Sequence, residues 1–165
     1  MNELTKIVDG KIFSDLEDLK KRRYFWREQG RKVVFTNGCF DLLHLGHLSY
    51  LSQAKHLGEI LIVGLNSDSS VKKLKGPTRP LKSQKERSIQ LAIMSIIDAV
   101  IIFEEETPAL LIKSLQPDIL VKGGDYTLNE VVGKDTVEEV GGRVVVLPFL
   151  EGYSTTQLIN KIQDL

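Results

Sequence analysis

A single cysteine, Cys39, stands in 165 residues. No disulfide can form within the chain, and it lacks the stapling used by small secreted domains. An excess of one charge is missing as well: Lys+Arg and Asp+Glu both count 22, so the formal net charge is zero. Nucleic-acid binders usually carry a basic excess, so that partner class loses ground. Long hydrophobic runs are absent too. Stretches such as 99–103 and 144–147 fall far short of the ~20 residues that a bilayer-spanning helix needs. The opening MNELTKIVDGKIFSD has no apolar core and no small-residue cleavage site, and so does not read as a signal peptide. There is no internal repeat, low-complexity tract or linker-like stretch. What is present, 42% hydrophobic and 27% charged residues, is ordinary for a soluble globular protein and enough to bury a core. The expectation is one cytoplasmic domain over 1–165, with 1–30 as a helical extension at its start.

Strand and helix patterns alternate. Ser14-Asp15-Leu16-Glu17 has the form of a capping box and predicts a helix to residue 29, stopped by Gly30. Residues 32–36 read as a strand and 47–57 as a helix closed by Gly58. Residues 60–65 form a continuous apolar run, as in a strand covered on both faces. Residues 66–80 are polar and Lys-rich and read as irregular. Ser83-Gln84-Lys85-Glu86 is a second capping box, opening a helix to about 97. A strand at 99–103 follows. Thr107-Pro108 fits a cap followed by Pro at the first helical position, opening a helix at 108–115. Strands at 118–121 and 143–147 and a closing helix at 154–163 complete the pattern. It predicts a Rossmann-like α/β fold: a parallel five-stranded sheet with helices on both faces. Such folds bind ligands at the carboxyl ends of their strands. Four irregular segments should converge there: 36–47, 66–80, 122–126 and 148–156.

The first of these, TNGCFDLLHLGH, carries the most chemistry. Gly38 permits close backbone approach. His44 and His47 would point the same way if the turn is helical, near a helix N-terminus that favours anions. Taken alone, the pair reads equally as surface or capping histidines, or as half a metal site. No third ligand lies at suitable spacing; Asp41 is the nearest carboxylate. Cys39 reads as a small residue packed under the loop. The second segment brings Lys72, Lys73, Lys75 and Arg79, a solvated patch unless shaped toward a ligand by Gly76 and Pro77. Arg87 follows on a helix, either as a surface residue or facing the site. Lys122-Gly123-Gly124-Asp125-Tyr126 could be a plain turn. Ser154-Thr155-Thr156 supplies three hydroxyls, of which a helix cap uses one.

His44-Leu45-Gly46-His47 resembles the H-x-G-H signature of the cytidylyltransferase-like nucleotidyltransferases, and Glu151-Gly152-Tyr153-Ser154-Thr155-Thr156 resembles their second signature. As a pair, in this order, the motifs are specific. The segments 36–44, 64–68, 74–80 and 121–126 further resemble the branch that adenylates D-glycero-β-D-manno-heptose 1-phosphate in lipopolysaccharide assembly. The likeness runs over about 10–162. In many bacteria that domain is fused to a sugar kinase; here it is expected to stand alone. One departure matters. Leu150 stands where relatives carry an arginine, and Tyr153 replaces their isoleucine. Arg87 or Arg79 would have to supply the missing charge.

The resemblance implies transfer of AMP from ATP to a sugar 1-phosphate. His44, His47 and Lys75 would be catalytic. Thr36, Asn37, Gly38, Cys39, Phe40, Gly46, Arg87, Lys122, Gly123, Gly124, Asp125, Ser154, Thr155 and Thr156 would bind the nucleotide. Asp41, Asn66, Arg79 and Tyr126 would bind the acceptor. Mg²⁺ would arrive with ATP, with no dedicated protein site, and analogy suggests a homodimer. CTP-dependent transfer to glycerol phosphate or an amino-alcohol phosphate, FMN adenylylation, and a non-catalytic nucleotide-binding module remain as alternatives.

Overall fold

A computed structural model of the chain describes residues 6–124, 127–148, 150, 152, 153, 155 and 159. The strands are β1 (Ile12–Phe13), β2 (Val33–Gly38), β3 (Ile60–Asn66), β4 (Ala99–Phe103), β5 (Ile119–Gly123) and β6 (Arg143–Leu147). The helices are α1 (Leu16–Glu28), α2 (Leu45–Lys55), α3 (Asp68–Lys75), α4 (Gln84–Ala92), α5 (Ala109–Leu115) and α6 (Lys134–Glu139), with a 3₁₀ turn at Leu128–Glu130.

All strand pairs are parallel, in the order β1-β4-β3-β2-β5-β6. The sheet therefore has six strands rather than the expected five. The additional one, β1, is two residues long and gains its place from β4: Ile12 registers with Val100, and Val100 N donates to the Lys11 carbonyl at 2.8 Å.

Strand alternation feeds two cores, one on each face. Val34, Leu61, Val63 and Val100 pack with Leu51 and Ala54 of α2 and Leu91 of α4. Val33, Phe35, Ile60, Ile62 and Ile101 pack with Leu19 and Trp26 of α1, Leu111 and Ile112 of α5 and Val137 of α6. All seven residues of β3 are buried, as the apolar run requires.

Several boundaries differ from expectation. The cap of α1 is Asp15, whose side chain accepts from Glu17 N at 2.9 Å, not Ser14; Gly30 closes the helix at φ 69°. At α2 the helix starts at Leu45, with His44 as the capping residue. Ser83 and Glu86 form the expected reciprocal box, but α4 ends at Ala92, short of 97. Pro108 caps α5 rather than opening it. The segment 66–80, read as irregular, contains α3. Ser67 caps it by accepting from Ser70 N, and Gly76 ends it at φ 96°. Lys72, Lys73 and Lys75 fill its last turn, where cations complement the helix dipole. The 3₁₀ turn and α6 were not foreseen at all. The expected closing helix lies largely outside the described residues; Thr155 and Ile159 are helical. Among the described residues no helix is long and apolar enough to cross a membrane.

Candidate active site

The carboxyl ends of β2, β3, β4 and β5 open into a pocket of about 430 Å³. Its floor is the turn after β2. There Gly38 has no room for a side chain, since a Cβ would meet the Phe40 ring at 2.9 Å. Phe40 itself sits at φ 44°, a conformation that bulky residues rarely adopt and that clusters at functional sites. Its buried ring meets His47 edge-on, with centroids 5.2 Å apart.

His44 and His47 stack, their centroids 3.8 Å apart and their planes at 25°. The cap position of one and the first-turn position of the other produce this pairing. Gly46 between them is required: a Cβ there would lie 3.0 Å from His44 Nδ1 and 3.1 Å from the Cβ of Tyr153. The glycine thus lets the second signature pack against the first. Among the described residues neither Nδ1 has a hydrogen-bond partner, although both are buried. Burial, then His44, then Lys75 pull the His47 pKa down to about 4, while a backbone bond at Leu42 weakly opposes them. Burial also lowers His44. Both rings are therefore neutral near pH 7.

His47, Asn37, Gly38, Cys39, Phe40, Asp41, Asn66, Lys75, Lys122, Gly123 and Thr155 all line the pocket, so the structure brings together about half of the residues picked from sequence; His44, stacked on His47, is not in the lining. Lys75 is exposed at the end of α3. Burial lowers the Lys122 pKa. Burial raises that of the Cys39 thiol despite three nearby cations, which leaves it a poor nucleophile. Asn66 Nδ2 donates to Ser70 Oγ at 3.0 Å.

Thr36 and Arg87 hold the site from behind, and Asp41 is fixed at the pocket wall. Thr36 is fully buried, its hydroxyl 2.6 Å from Tyr50 Oη, and Tyr50 donates to the Val121 carbonyl at 3.2 Å. Its side chain is not open to a nucleotide. Arg87 is fully buried rather than on the helix surface. It donates to the carbonyls of Lys82, Cys39 and Asn66 and to Asp68 Oδ1, at 2.6–3.0 Å. With no face left for phosphate, it ties the ends of β2 and β3 to α3 and α4. Asp41, 2% exposed, accepts from Arg79 Nε at 2.6 Å and from the backbone of Leu81 and Lys82. Burial pushes its pKa up, but these donors outweigh it and the net shift is down. The carboxylate and Arg79 Nε are thus committed to each other. Gly124 lies beyond the pocket wall at φ 114°, its N–H on the Leu147 carbonyl. Asp125, Tyr126, Ser154 and Thr156 lie outside the described residues.

Sequence reasoning missed Glu106, Thr107 and Pro108 after β4, and Glu130, Val131 and Val132 beyond β5, all of which line the pocket. The strand-end rule, applied to β4 as well, would have found the first group. Among the described residues no group of three or more His, Cys, Asp or Glu is placed to hold a metal ion.

Residues 35–161 match the family described as cytidylyltransferase-like. The chain is 58% identical over 138 residues to the bifunctional protein HldE of Syntrophotalea carbinolica, covering 84% of this chain and 28% of that protein. It is 49% identical over 160 residues to HldE of Pelobacter propionicus, covering 97% and 32%. The chain thus spans less than a third of the length of these curated relatives. Among solved structures, the lipopolysaccharide core biosynthesis protein of Thermoplasma volcanium superposes with a TM-score of 0.61 at 27% identity, over 76% of this chain and all of that one. Pantoate-beta-alanine ligase of Francisella tularensis gives 0.62 at 16% identity, over 94% and 78%, and shares the fold.

Proposed function

This chain belongs to the cytidylyltransferase-like family of nucleotidyltransferases, and we propose that it transfers AMP from ATP to D-glycero-β-D-manno-heptose 1-phosphate, releasing pyrophosphate. The observation that carries the reading is the stacked, neutral His44–His47 pair at the head of α2, whose His47 lines a pocket that Lys75 also lines. A phosphate oxygen of the acceptor attacks the α-phosphorus. The new P–O bond forms as the bond to the bridging α–β oxygen breaks, and pyrophosphate leaves with the electron pair.

The nucleophile is already an anion, so no general base is needed; positioning and charge stabilisation suffice. A neutral imidazole keeps one N–H, and each ring would donate it to phosphate oxygens as charge builds. Lys75 would hold the triphosphate or the acceptor phosphate. Thr155, with Ser154 and Thr156, would bind the outer phosphates. Lys122, Gly123 and Asp125 would line the nucleotide side, and Asn66 and Tyr126 the acceptor side. Mg²⁺ would come bound to the triphosphate, neutralising its charge; the donors here suit phosphate rather than a metal cage.

The heptose acceptor rests on the sequence resemblance, and likeness to a lipopolysaccharide core biosynthesis protein supports it. The test is pyrophosphate release across a grid of nucleotides and acceptors at matched subsaturating concentrations. Heptose 1-phosphate with ATP should give by far the highest kcat/KM, because a site built to hydrogen-bond hydroxyls rejects analogues that leave its polar groups unpaired. If glycerol 3-phosphate with CTP wins, the acceptor and base are wrong. If no pair releases pyrophosphate, the chain is a binding module.

A further inference from the structure

The pocket carries carboxylates as well as cations: Lys75 and Lys122 line it, and so do Glu106 and Glu130. Strand order places β5 and β2 toward one end and β3 and β4 toward the other. His47 follows β2 and Lys122 lies near the end of β5, where both can donate to phosphates, as Lys75 can from the end of α3. At the other end Glu106 and Thr107 emerge after β4 and line the same pocket. Glu130 also lines the pocket, from the 3₁₀ turn that follows β5. The loop carrying Glu106 is tied down: Ser67 N donates to the Phe103 carbonyl at 2.9 Å and Ser70 Oγ to the Glu105 carbonyl at 3.3 Å. Thr127 donates through N and Oγ1 to Glu130 Oε2, both at 2.8 Å, so that carboxylate is held as well. A carboxylate repels phosphate but accepts strongly from hydroxyls. With the acceptor phosphate at the histidines, its uncharged body extends toward β4.

We propose that Glu106 is a specificity-determining residue, its carboxylate accepting hydrogen bonds from adjacent hydroxyls on the acceptor's non-phosphate body, with Thr107 next to it in the lining; this rests on the sugar-phosphate reading above. The same carboxylate turns away acceptors that carry a second anionic group at that end.

The full chain serves for the test. Glu106→Gln keeps size and removes charge, and Glu104→Gln, outside the pocket, is the control. Glu106→Gln should lower kcat/KM for heptose 1-phosphate about tenfold or more, the usual effect of losing a charge-assisted bond to substrate. KM for ATP and the melting temperature should stay put, and Glu104→Gln should match wild type. Unchanged acceptor kinetics in Glu106→Gln, or a KM for ATP raised as much as that for the acceptor, overturns this inference and leaves the proposed function standing. A wild type that turns over no hydroxylated acceptor phosphate overturns both.

Discussion

His47 keeps its proton off down to about pH 4 because burial and two neighbours, His44 and Lys75, disfavour the cation. In the unfolded chain an imidazole titrates near 6.5. Between those values the unfolded state binds a proton that the folded state refuses, so stability falls as pH drops from about 6.5 toward about 4. The loss from this one group is at most about 3 kcal/mol. Urea unfolding at pH 7 and pH 5 should therefore show a larger drop for wild type than for His47→Asn, and equal drops would mean that the ring is not held neutral. The same ring is expected to donate to the developing charge. His44→Ala and His47→Ala should each cost on the order of 10²–10³ in kcat, the usual loss of one preorganised donor, with ATP affinity falling less. Near-normal turnover by folded His47→Ala would end its assigned role. The motif was legible at this scale, since two histidines around a glycine are conspicuous. The fate of Arg87 was not. Beside the nearby Lys82 carbonyl, its acceptors come from Cys39, Asn66 and Asp68, and no local pattern announces contacts that distant.

At the scale of elements, α3 decides which lysine matters. Its eight residues, DSSVKKLK, bury only Ser70 and Val71, so no apolar periodicity marks a helix and 66–80 read as loop. The short α6, with Val137 alone buried, was invisible for the same reason. By contrast, β4 and β6 match their expected bounds residue for residue, because the apolar runs AVIIF and VVVL stand between Asp98 and Glu104 and between Arg143 and Pro148. β1 escaped notice because two residues carry no period, and pairing with β4 makes it a strand. Once the helix is drawn, Lys75 at its end lines the pocket while Lys72, one turn earlier, does not. Lys75→Ala should lower kcat/KM about 100-fold, in the range of losing a charged contact to phosphate. Lys72→Ala should stay within about twofold, as for a solvated charge. Steady-state kinetics of the two variants decide it, and equal losses would show that the wrong face of α3 has been assigned.

Taken whole, the molecule separates stability from chemistry across the sheet. The pocket occupies the carboxyl ends of the strands. At the amino ends, α1 is sewn down by Arg23, which is 5% exposed. Its Nε donates to the Leu115 carbonyl at 3.2 Å, and its Nη2 to the Gln116 carbonyl at 2.9 Å and Asp118 Oδ2 at 3.1 Å. Asp118 Oδ2 also accepts from Val33 N at 2.7 Å, so one carboxylate fixes the starts of β2 and β5 together. Leu19 and Trp26 cover the same core face, which makes α1 part of the core rather than an appendage. Arg23→Ala removes the buried partner of an ion pair whose Asp118 side chain is 40% exposed and takes a donor from two carbonyls. It should cost about 1–2 kcal/mol, the range for removing one partner of such hydrogen bonds, read as a lower denaturant midpoint. The histidines, Lys75 and Phe40 lie at the opposite end of β2, and nothing in this cluster touches them. Below the unfolding transition, kcat and both KM values of Arg23→Ala should therefore equal those of wild type. Kinetics that change while the denaturant midpoint stays put would show that the two ends of the sheet are coupled.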